Sequence, residues 1–149
     1  MIPGNLIESK HITLELKSNT IQDLLKELLS LVEDHPNLTD FQGAWAEVQE
    51  RESAFSTGLG QGLAIPHART AAVKDTVLAV GIHRKGIDFK GPDNLPVHVF
   101  FLLLSPMTEY SNHLEVMSRI AKTMVKDTSV ADLLKCGSPE EIKAAVTDP

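Results

Sequence analysis

The chain has 149 residues, 42% of them hydrophobic, and a formal net charge of −6. That length and apolar fraction suit one domain, residues 1–149, with a sizeable core, and exclude an intrinsically disordered chain. The negative charge argues against nucleic-acid binding and against attraction to anionic membrane surfaces, and it suits a basic protein partner.

From Met1 to Glu8 there is no basic segment followed by an apolar core, so no signal peptide is expected. Ile12, Leu14 and Leu16 alternate with polar residues, which predicts a half-exposed strand. Thr20 reads as a helix N-cap with Asp23 at the capping-box position, and Ile21, Leu24, Leu25, Leu28, Leu31 and Val32 repeat at helical spacing up to Pro36. A second helix is predicted from Thr39 or Asp40, with Phe41, Ala44, Trp45 and Val48 as its apolar stripe. Arg51 continues that stripe. It either snorkels or pairs with an acid such as Glu47 or Glu52, or it serves as an anion clamp through its planar donor fork.

Thr57-Gly-Leu-Gly-Gln-Gly-Leu-Ala-Ile-Pro-His67 is the most informative stretch. Gly58, Gly60 and Gly62 permit a tight turn, Leu63 to Ile65 reads as a short buried strand, and Pro66 cannot donate to a sheet ladder. His67 is therefore predicted to emerge where that strand stops. It is either incidental to a turn or a neutral imidazole held as a nucleophile.

Val77 to Ile82 and Val97 to Leu104 are nearly uniform apolar runs, predicted as strands buried on both faces, with Gly86, Gly91 and Pro92 marking loops between them. The longest greasy run, Val99 to Leu104, is too short to span a bilayer. Asn112 and Glu115 resemble a capping box opening a helix through Met117, Ile120 and Met124. Ser129 to Leu134 reads as a short helix, and Ser138-Pro139-Glu140-Glu141 as the start of the last one. The single cysteine, Cys136, cannot close an intrachain disulfide, which fits a reducing cytoplasmic setting. Strands mixed with helices, with two core strands buried on both faces, predict a layered α/β domain.

Of the six histidines, His11 and His35 are expected at the surface. His83 and His98 could meet at strand ends, but no Cys or paired carboxylate stands at metal-ligand spacing, and no metal is expected. His113 falls in the first turn of a helix capped by Asn112; it either helps that cap or faces an anion drawn to the helix N-terminus.

The run from Arg51 to His67, with Ala68-Arg69 after it, resembles the active-site region of the IIA components of the bacterial phosphoenolpyruvate:sugar phosphotransferase system, mannitol/fructose class, which includes the nitrogen-regulatory IIA proteins. Asn94 to Leu104 and His113-Leu114 fit the same family in the same order, so the resemblance covers essentially the whole chain. It implies a mixed sheet flanked by helices, His67 as phosphoryl acceptor, and Arg51 and His113 as groups that hold the phosphoryl. Thr57 is a further candidate donor. The resemblance also implies a small histidine phosphocarrier protein as donor and a IIB-type protein or a regulatory target as acceptor. No cofactor or nucleotide is implied, and the Gly-Lys-Ser/Thr phosphate loop is absent.

Ala68-Arg69 leans toward the fructose and nitrogen-regulatory branches. The lack of a fused membrane or IIB segment leans weakly toward regulation. A hydrolase with His67 as general base is the competing class, but it needs a placed Ser, Cys or acidic partner, and no convincing triad stands in the sequence.

Overall fold

The two apolar runs pair with each other at the centre of the sheet. In the computed structural model, which describes residues 1–149, β5 (Val77–Ile87) and β6 (Val97–Ser105) run antiparallel. Successive side chains on a strand point to opposite faces. Phe100, Leu102 and Leu104 therefore enter one core and Val99, Phe101 and Leu103 the other. Neither face is solvated, which is why no polar alternation is visible in the sequence.

β1 (Ile12–Thr13) lies parallel to β5, while β3 (Leu63–Ala64) and β4 (His67–Arg69) lie parallel along the far side of β6. β2 (Gly58–Gly60) closes the sheet as a hairpin antiparallel to β3. The hairpin turn holds Gly60, Gln61 and Gly62 at φ of 86°, 56° and 83°, a left-handed run that glycine tolerates best. Both the His98 and Val99 N–H groups donate to the Gly62 carbonyl, so β6 bulges there and its alternation resets.

Helices cover both faces. α1 (Ile21–Ser30) and α2 (Phe41–Ala54) supply Leu24, Leu25, Leu28, Ala44 and Val48 to the first core. α3 (Tyr110–Lys126), α4 (Val130–Leu134) and α5 (Pro139–Val146) supply Val116, Ile120, Leu133, Ile142 and Val146 to the second. Thr20, Asp40, Ser129 and Ser138 each accept an N–H from the third residue onward, satisfying one orphan donor per helix. At Gly81 a Cβ would stand 2.6 Å from Leu16 Cδ1 and 2.9 Å from Leu28 Cδ2, so glycine lets α1 and the segment after β1 close onto β5.

Several sequence expectations are corrected. Pro66 does not end the strand region: its carbonyl accepts from the Leu103 N–H, and pairing resumes at His67 as β4. A proline lacks only the donor, so β6 still finds an acceptor there. Gly86 lies inside β5, where the register shifts between Ile82 and Ile87, and not in a loop. β1 is shorter than its alternation suggests, although the Leu16 N–H still donates to the Ile82 carbonyl.

Asn112 does not cap α3. The Glu109 N–H donates to the Pro106 carbonyl, and this turn starts the helix early; Asn112 instead donates its amide to Thr76 Oγ1 at 3.3 Å. His11 is buried, 1% exposed, with Nε2 3.1 Å from Asp34 Oδ1 and its ring stacked on His35. No helix is long and apolar enough to cross a membrane.

Candidate active site

β4 pairs only with β6, so its other side is a free sheet edge. There the last turns of α2, from one helical layer, and the first turns of α3, from the other, face each other. Between them lies an open cleft of about 680 Å³ lined by Arg51 and Glu47 from α2, His67 and Arg69 from β4, and Tyr110, His113 and Leu114 from α3. Three residues singled out in the sequence, Arg51, His67 and His113, are thus brought together.

His67 is half-buried, and its Nδ1 lies 2.7 Å from the Ile65 carbonyl oxygen. A carbonyl only accepts, so Nδ1 carries the proton and Nε2 carries the lone pair. Burial, helped by the positive charge of Arg51, lowers the His67 pKa below the ordinary histidine value, against the opposing effect of the Ile65 bond. The ring is therefore neutral near pH 7, with Nε2 unprotonated.

The His113 ring centroid lies 5.4 Å from that of His67. His113 is 4% exposed, and its Nδ1 sits 2.8 Å from the hydroxyl of Ser105, itself fully buried at the end of β6. Burial first, then the charge His67 acquires once protonated at low pH and that of Arg69, push the His113 pKa down to about 4. The His113 N–H donates to the Glu109 carbonyl. It is therefore not a free amide at a helix N-terminus, and the imidazole alone can serve a ligand.

Arg51 makes no ion pair with Glu47 or Glu52. Its Nη1 donates to the Phe55 carbonyl at 2.9 Å, which aims the guanidinium while leaving other N–H groups available. Thr57 stands elsewhere: it is 5% exposed, outside the lining of the cleft, and its hydroxyl donates to Glu52 Oε1 at 2.6 Å. That proton is committed, so Thr57 is corrected from a phosphoryl donor to a buried partner of Glu52.

His83 and His98 form no joint site. His83 bonds the Ser18 carbonyl and the Gly86 N–H, and His98 bonds the His83 carbonyl. Sequence reasoning missed Ser105, the Ile65 carbonyl and Arg69, whose guanidinium carbon lies 4.5 Å from the Tyr110 ring centre. The one available signal was Ser105 itself, the first polar residue after an apolar run.

The low His113 pKa makes stability depend on pH with a definite sign. An unfolded histidine titrates near 6.5, so between pH 6.5 and about 4 the unfolded state binds more protons than the native state. Stability from this group is present above 6.5 and is lost as pH falls toward 4, by on the order of 3 kcal/mol. Urea midpoints at pH 7, 5.5 and 4.5 are expected to fall less steeply for His113→Gln than for the native protein.

The model of the phosphoenolpyruvate-dependent sugar phosphotransferase system EIIA 2 family matches residues 5–148. The chain belongs to this family. Among its relatives is the fructose-specific EIIABC component of Bacillus subtilis (strain 168), 31% identical over 135 residues, which cover 90% of this chain but only 21% of that protein. The chain thus spans about a fifth of that relative's length. The crystal structure of the nitrogen regulatory protein IIA-Ntr from Neisseria meningitidis is 34% identical, with a TM-score of 0.88 over 97% of this chain and 98% of that one. The complex of enzyme IIA mannitol with phosphorylated enzyme IIB mannitol from Escherichia coli shares the fold, with a TM-score of 0.79 over 94% and 96% of the chains at 14% identity. An EIIA-family chain has a phosphocarrier role in the phosphotransferase system and, in general terms, a transferase activity.

Proposed function

We propose that this EIIA-family protein accepts a phosphoryl group on His67 Nε2 from a small histidine phosphocarrier protein and passes it to a IIB-type acceptor. The observation that carries this reading is the 2.7 Å bond from His67 Nδ1–H to the Ile65 carbonyl, which leaves Nε2 as the only ring nitrogen with a lone pair.

Nε2 attacks the donor's phosphorus in line; the new P–N bond forms as the donor's P–N bond breaks, and that electron pair returns to the donor imidazole. The product ring keeps its Nδ1 proton and gains positive charge, which the Ile65 carbonyl dipole stabilises. Such a ring is also a good leaving group for the second transfer. The phosphoryl oxygens meet the Arg51 guanidinium and the His113 Nε2–H, present when Ser105 donates its hydroxyl to Nδ1. Exposed Met107, Tyr110 and Leu114 rim the cleft and give an apolar landing surface for a protein partner.

Intact mass after incubation with phosphoenolpyruvate, the system's first enzyme and the carrier tests this. Gain of one acid-labile phosphoryl group is expected; no gain from a demonstrably charged carrier refutes it.

A second destination is favoured by the likeness to the Neisseria nitrogen regulatory protein over nearly the full length of both chains. In that reading the phosphorylation state of His67 governs binding to a regulatory target such as a transporter, kinase or transcription factor. Transfer from the phosphorylated protein to purified IIB supports the first destination. Retention of the group, with state-dependent capture of a regulatory target, supports the second.

A further inference from the structure

Arg51 and Glu52 are neighbours on the last turn of α2 but project to different sides of it. Arg51 lines the His67 cleft, whereas Glu52 is 8% exposed and turned toward the chain that follows the helix. Its carboxylate accepts twice from Thr57, Oε2 from the backbone N–H at 2.7 Å and Oε1 from the hydroxyl at 2.6 Å. The Thr57 carbonyl in turn accepts from the Ile65 N–H at 3.1 Å, and the Ile65 carbonyl accepts from His67 Nδ1–H at 2.7 Å. Glu52 thus begins a continuous buried hydrogen-bonded path that ends on the reacting ring.

We propose that Glu52 is a positioning residue for phosphoryl transfer: through Thr57 it fixes the Ile65 carbonyl, and so holds His67 in the Nδ1–H tautomer with Nε2 aimed into the cleft. The inference rests on His67 being the phosphoryl acceptor.

A carboxylate this enclosed is costly unless its lone pairs are used. Burial raises the Glu52 pKa, opposed by the Thr57 bonds and by Arg51. Thr57 satisfies both oxygens, and no ion pair is formed with Glu52. The same α2 turn also grips the following loop through Arg51 and the Phe55 carbonyl. One helical turn therefore sets both the guanidinium and, through the hairpin, the imidazole. Small displacements of a reacting group are expensive in rate, so the tie matters for chemistry beyond stability.

The test measures the His67 tautomer by ¹⁵N NMR in the unphosphorylated protein, together with the single-turnover rate of transfer from the carrier. In Glu52→Ala the Nδ1–H population of His67 is expected to drop and the rate to fall about ten-fold or more. Glu52→Gln accepts the Thr57 N–H and donates to the Thr57 hydroxyl, so it is expected to restore the tautomer and to keep the rate within about three-fold of native. Thr57→Val, which removes only the hydroxyl bond, gives the same readout if Glu52→Ala does not fold.

A wild-type tautomer and rate in both Glu52→Ala and Thr57→Val overturn the proposal. So does a Gln variant as impaired as Ala, because charge and not positioning would then be the cause. Failure of the native protein to be phosphorylated on His67 is a separate result, which refutes the phosphocarrier reading and leaves the tautomer measurement to stand.

Discussion

Replacement of His67 by alanine is expected to abolish phosphorylation while the protein stays folded. Mass measurement after incubation with charged carrier reads the first part, and urea unfolding reads the second. The loss is complete because no other imidazole can substitute. His113 is buried with Nδ1 on Ser105, and His83 and His98 lie outside the cleft with ring nitrogens bonded to the backbone. The fold survives because His67 stands half-buried on a free sheet edge and belongs to neither core. Its removal deletes one hydrogen bond, to the Ile65 carbonyl, at a cost of about 1 kcal/mol. Persistent phosphohistidine in the alanine variant would remove His67 from the centre of the mechanism.

Arg51→Ala is expected to lower the single-turnover transfer rate by about 10²–10³-fold, the usual loss for one donor aimed at developing charge. Arg51→Lys recovers only part of it, since an ammonium keeps the charge but not the planar fork. A second readout is independent of turnover: Arg51 charge helps lower the His67 pKa, so its removal raises that pKa in an NMR titration. A rate and a titration both unchanged in Arg51→Ala would assign Arg51 to holding the Phe55 carbonyl and nothing more.

Much of the architecture was legible because its signals are local. Thr20, Asp40, Ser129 and Ser138 cap helices as their side chains allow, and the apolar runs of β5 and β6 read as strands buried on both sides. The misreadings share a cause, which is that a partner outside the local residue pattern decides the outcome: it lies 23 residues away for His11 and 36 for the Asn112 amide, but only five for Thr57. Asn112 looks like a cap, yet a turn at Pro106 starts α3 first and Thr76 takes its amide. His11 looks superficial among polar neighbours, yet Asp34 and His35 enclose it. Pro66 looks like a strand end, yet β6 needs only its carbonyl. Thr57 looks like a donor beside the histidine, yet its hydroxyl hydrogen bond goes to Glu52 Oε1.

By itself the sequence determined the helices and the central strands and their order, since helical and strand periodicity and caps are written in neighbouring residues; the short strands β2 and β4 were not legible there. It also determined the family, because the run from Arg51 to His67 is continuous. Tertiary structure alone decided the geometry of the site. Which imidazole nitrogen is free depends on a carbonyl that only β3 and β4 geometry places beside the ring. That Arg51 and His113 share one cleft depends on α2 and α3 packing on opposite faces of one sheet and meeting over its open edge at β4. Hydrogen-bond partners and burial set tautomer and pKa, and both are properties of the space around a residue, which spacing along the chain does not encode.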